Sequence, residues 1–136
     1  MTSARASLLG LAALMATAPA SAAARSQMPA LRIGAYTDFG PCDQAANASL
    51  MWWNGRFFSA GGISNVIPRP SGRTTFVGEY TNLRDPSYTK KLRIKFVVRD
   101  RTHFAAFMAI SDWRRSNYRF CPDASLPSTW RGMTPP

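Results

Sequence analysis

The chain has 136 residues, 46% of them hydrophobic, with 17 Lys and Arg against 7 Asp and Glu and a formal net charge of +10. A chain of that length is expected to form one small domain with a modest core. One His and two Cys, with no carboxylates at ligand spacing, exclude a metal site legible in sequence, and no run supplies the ~20 apolar residues that a membrane-spanning helix needs.

Residues 1–22 have the three parts of an export signal. Arg5 gives a positive start, Leu8 to Ala16 is an apolar core, and Ala20-Ser21-Ala22 and Ala22-Ala23-Ala24 are small-x-small cleavage sites. Cleavage after Ala22 or Ala24 is expected. The product should be periplasmic or secreted, with no transmembrane segment in the mature chain. In an oxidising compartment Cys42 and Cys121, 79 residues apart, read as one disulfide. The chain-entropy model assigns such a loop ~4–5 kcal/mol, comparable with the whole stability of a small domain.

A single globular domain is expected over 25–121. Gly34 to Thr37 reads as a first strand, which Gly40-Pro41 breaks. Pro41 followed by Cys42 to Ala48 reads as a short helix, since Pro suits the first helical position and Asp43 the positive helix start. Met51-Trp52-Trp53 and Arg56 to Ser59 flank Asn54-Gly55, a hairpin turn signal. Gly61-Gly62 marks another turn and Pro68 to Gly72 a loop. Thr74 to Thr81 is rich in β-branched and aromatic residues and reads as a strand.

The clearest signal is Lys90 to Arg101. Leu92, Ile94, Phe96 and Val98 fall on one face; Lys91, Arg93, Lys95 and Arg99 fall on the other. That alternation predicts an antiparallel strand with one side on a core and one in water. His103 to Ile110 is dense in apolar residues, is expected to be buried, and fits either a strand or a short helix. Asn117 to Cys121 is a short final strand. Residues 122–136 hold several Pro and are expected to be extended and mobile except where Trp130 packs.

The fold class expected is mainly β (α+β): an antiparallel meander of about five or six strands with one short N-terminal helix, closed by the disulfide.

An enzyme needs a nucleophile, an acid–base pair or a metal. His103 stands alone. Asp38, Asp43, Glu79, Asp85, Asp100, Asp112 and Asp123 are scattered, mostly at turns. There is no nucleophile elbow, phosphate loop or dinucleotide fingerprint. No catalytic set, metal or cofactor is therefore expected.

The candidate sites are for binding. Lys91, Arg93 and Lys95, continued by Arg99, repeat at ~6.6–6.8 Å along one strand face and can meet successive anionic groups. The same row also fits a solvated strand face that discourages edge pairing. Trp52 and Trp53 are adjacent, so one should be buried while the other is a candidate aromatic contact. The leading expectation is a non-enzymatic exported module with an anionic envelope partner: a lipid headgroup, lipopolysaccharide or acidic glycan. Nucleic acid is a further polyanion the row could meet but is not the expected partner. The alternative is a protein-interaction or inhibitor module that uses aromatic anchors on an exported partner, and a small hydrolase comes third.

The layout Gly34-x-Tyr36, Cys42-x-x-Ala45, Asn54-Gly55-Arg56 and Tyr118-Arg119-Phe120-Cys121-Pro122 resembles small exported proteobacterial proteins of uncharacterised function. At the level of architecture the chain is similar to periplasmic lysozyme-inhibitor domains. That resemblance implies a small disulfide-bonded antiparallel domain. It carries no inhibitory residue onto this sequence, and the positive charge opposes encounter with a basic lysozyme.

Overall fold

The computed structural model describes residues 27–110 and 112–133; the export signal expected over 1–22 lies outside them. Eight strands form one sheet: β1 Gly34–Thr37, β2 Leu50–Trp53, β3 Phe58–Ala60, β4 Arg69–Pro70, β5 Thr75–Tyr80, β6 Leu92–Asp100, β7 His103–Ile110 and β8 Asp112–Cys121. Their order is β3-β2-β1-β8-β7-β6-β5-β4, and every pair is antiparallel. The mainly β antiparallel class and the Cys42–Cys121 disulfide are as expected.

The strand count and the helix are not. Eight strands replace the expected five or six. The run 103–110 is a full strand whose alternation is masked by small residues: Phe104 and Ala106 join the inner core, while Ala105, itself buried, and the half-buried Phe107 lie on the opposite face. The final strand starts at Asp112 rather than Asn117, because it pairs with every residue of β7 from Ile110 back to His103. The expected helix over 41–48 is two single 3-10 turns, Cys42–Gln44 and Asn47–Ser49. The segment is too short to recover the cost of nucleating a helix. It is also held at both ends, by the disulfide at Cys42 and by the β-ladder that begins at Leu50.

Two junctions curl the sheet. β1 pairs with β8 as well as with β2, with Ala35 opposite Cys121 and Tyr36 opposite Phe120. On the far side, Phe58 and Val66 exchange both backbone hydrogen bonds, at 2.9 and 2.8 Å, and the chain from Val66 runs on into β4. Val66 lies directly over Gly78 of β5: a Cβ at Gly78 would collide with Val66 Cγ1. Glycine there lets the two segments touch. The eight strands thus form a half-barrel whose open edges meet at the Phe58–Val66 bridge and again at a bridge between Ile63 and Asn82.

The inner face is filled by rings. Phe58 stacks on Phe96 at 4.1 Å and Phe104 on Tyr118 at 4.9 Å; Tyr36 meets Phe104 at 5.1 Å and Trp53 meets Phe58 at 4.5 Å. The lead-in 27–33 closes this end. Leu31 is buried, Arg32 N donates to the Arg101 carbonyl at 2.8 Å, and Tyr36 Oη donates to the Arg32 carbonyl at 2.6 Å. Burial pushes the Tyr36 phenol well above its ordinary pKa.

A second, smaller core lies outside the sheet. Ala35, Leu50 and Cys121 are covered there by Ala45, Cys42 and Leu126, with Trp52 and Trp130 packed at the edge. Beyond Cys121 the chain does not run out extended. It makes a 3-10 turn at Asp123–Ser125 and buries Leu126; Arg131 Nε then donates to the Leu126 carbonyl and Gly132 N to Asp123 Oδ1, both at 2.8 Å. The outer wall of β1, β2 and the end of β8 is therefore covered, whereas no segment among the described residues packs over the outer wall of β5, β6 and β7.

Candidate functional site

The bare wall carries the predicted cations. Along β6, Ile94 and Phe96 are buried and Arg93 and Arg99 exposed, with Lys95 half-buried between them; Lys91 is exposed just before the strand. The single-strand row is thus in place. The cross-strand register adds to it. Lys95 pairs with Phe107 of β7, and Phe107 with Arg115 of β8; on the other side Lys95 pairs with Val77, which faces Arg69 of β4.

Two cations share the Phe107 ring. Lys95 Nζ lies 4.8 Å and the Arg115 guanidinium 5.8 Å from its centroid. The negative face of the ring holds both side chains over it, each such contact contributing ~0.5–1 kcal/mol at an exposed site. Arg115 Nε and Arg99 Nη2 also both donate to Asn117 Oδ1, each at 3.2 Å. One amide oxygen therefore brings two guanidinium groups together. Glu79 is opposite Arg93, yet no ion pair joins them, and no carboxylate reaches Lys95, Arg99 or Arg115 among the described residues. The sequence reading missed Arg69, Phe107, Arg115 and Asn117. Their alternation is written in the chain, but the register that sets them beside Lys95 and Arg99 is not.

The two tryptophans separate. Trp53 is 1% exposed inside the ring cluster and has no surface to offer a partner. Trp52 is half-buried on the covered wall, against Ala35 and Leu50. Neither adjoins the basic row.

His103 is not buried in the apolar run, where the sequence placed it. It opens β7 at the β6–β7 turn and is half exposed, with Nδ1 3.0 Å from Asp100 Oδ1. Asp100 Oδ1 also accepts from Thr102 N at 2.7 Å and Thr102 Oγ1 at 2.9 Å. These bonds, the Thr102 amide first, hold its carboxyl down at about 2. A depressed carboxylate contributes to stability above its ordinary pKa of 3.8, and the contribution is lost as pH falls through about 2. The Thr102 amide shift in NMR should therefore stay at its neutral-pH value through 3.8 and move only near 2. A midpoint at 3.8 or higher would show that the turn does not hold the carboxylate. No group of three metal-binding side chains occurs among the described residues. No helix among them is long and apolar enough to cross a membrane.

No family model matches this chain, and neither a curated protein nor a solved structure matches it.

Proposed function

We propose that this protein is a non-enzymatic exported binding module whose bare β5–β8 wall engages phosphate or carboxylate groups of an envelope partner. The observation that supports this reading most is the gathering of Lys95, Arg99 and Arg115 around Phe107 and Asn117 with no carboxylate partner among the described residues. Like charges brought together repel, and an anion relieves that repulsion while accepting forked N–H bonds from arginine. A strand face that served only for solubility would have no need to converge two guanidinium groups on one oxygen. The disulfide is compatible with an exported protein.

The test is binding to vesicles of phosphatidylglycerol in phosphatidylcholine, with lipopolysaccharide and an acidic polysaccharide as parallel arms. Binding should weaken steeply with salt. Each cation near an anionic surface contributes ~1 kcal/mol, so the double variant Lys95→Ala/Arg115→Ala should bind about thirtyfold more weakly. The arm with the highest affinity names the source of the anion. No binding in any arm at low salt, or equal binding by the double variant, would overturn the reading.

A further inference from the structure

The half-barrel has a second feature, on its inside, that the basic wall does not use. The end away from the ring cluster opens into a cavity of about 700 Å³, within the size range of small-molecule sites. The cavity exists because side chains shrink along the inward face. One step deeper, β3 and β8 present Phe58 and Tyr118; at the mouth the same strands present Ala60 and Ser116. Met51, Leu92 and Met108 form an apolar wall, with Ile63 at the rim.

Tyr80 closes one side of this cup. It is 3% exposed, and its hydroxyl has no hydrogen-bond partner among the described residues. A buried unpaired hydroxyl is costly, and such a group calls for an explanation. Burial raises the Tyr80 pKa, so the phenol keeps its proton and can donate it. The rim carries Asp38 and Asp85 against Arg84, a balance that disfavours an anionic head group.

We propose that the cup binds one uncharged lipophile of drug-like size, whose single hydrogen-bonding group pairs with Tyr80 Oη. The site shares no residue with the Lys95–Arg99–Arg115 cluster, so either can fail without the other. The probe is N-phenyl-1-naphthylamine, a neutral fluorescent lipophile with one N–H, titrated into the intact disulfide-bonded protein. One probe per chain should bind saturably, with an affinity unchanged by high salt. 1-Decanol should displace it and decanoate should not. Met108→Trp and Ile63→Trp fill the cup from its wall and from its rim, and each should weaken binding at least about tenfold. Tyr80→Phe should weaken 1-decanol about fivefold without lowering the melting temperature, because it removes an unpaired hydroxyl. No saturable binding would overturn the proposal, as would native affinity in either Trp variant that keeps its near-ultraviolet dichroism. Displacement by decanoate equal to that by 1-decanol would overturn the uncharged class. Unchanged 1-decanol affinity in Tyr80→Phe would overturn the role of the hydroxyl.

Discussion

Phe58→Ala should cost about 3–5 kcal/mol of stability and lower the melting temperature by roughly 12–20 °C. Phe58 is 1% exposed and meets three rings: Trp53, Phe96 and Phe104, at 4.5, 4.1 and 5.3 Å. Those rings come from β2, β6 and β7, so the side chain spans the interior from one side of the half-barrel to the other. Its backbone makes the bridge to Val66. Truncation would leave a void among stiff aromatic groups that cannot collapse into it. Phe107→Ala is the control. That ring is half-buried on the outer wall under two long flexible cations, and its loss should cost under about 1 kcal/mol. Thermal melts by circular dichroism compare the two. Equal losses would mean that the inner rings are not the main source of stability.

The double variant Cys42→Ala/Cys121→Ala should lose about 4–5 kcal/mol, the loop-closure entropy that the bond removes from the unfolded chain across 79 residues. Alanine is the right replacement because Cys121 is 1% exposed and a serine hydroxyl would be buried there. Cys42 is the attachment of the segment 38–49 to the sheet, and Arg119 adds to it by donating to Cys42 Sγ at 3.2 Å and to the Gly40 carbonyl. Losing the bond should therefore expose Leu50 and Ala45 before the ring cluster. Hydrogen exchange should rise first in β1 and β2 and last in β6 and β7. Denaturant melts of the oxidised and reduced wild-type protein should differ by the same amount as the variant. A difference under about 1 kcal/mol would place the constraint elsewhere.

Sequence periodicity revealed the elements whose two faces differ in chemistry. β6 was legible because Leu92, Ile94, Phe96 and Val98 alternate with Arg93, Lys95 and Arg99. The Asn54-Gly55 turn was legible too. Gly55 has φ 91°, and Asn54 Oδ1 accepts from the Arg56 and Phe57 amides at 2.9 and 2.8 Å. β7 was hidden because Ala105 and Ala106 erase the contrast between its faces, leaving strand and helix equally consistent. The short helix failed because local preference at Pro41 and Asp43 was overridden by ties to residues far away in the chain. The basic row was half legible. Lys91, Arg93, Lys95 and Arg99 lie on one strand, whereas Arg99 and Asn117 are 18 residues apart and meet only through pairing register. The cup left no trace, since Ala60, Ser116 and Tyr80 are unremarkable until eight strands set them around one space.

The pairing of β1 with β8 has a consequence for how the molecule matures. Strands β5 to β8 follow one another as hairpins and can zip in order as the chain appears. β1 has no such option on one side: its partner there is the last strand made. A chain that leaves a ribosome or a translocation pore amino end first carries β1 as a half-satisfied edge until residue 121 has followed. The two sulfurs meet at that same junction, because Cys121 lies opposite Ala35 in the ladder. Oxidation is thus a timer for completion of the whole sheet, and a thiol-trapping time course on newly made protein reads out assembly of the entire domain rather than of any local turn.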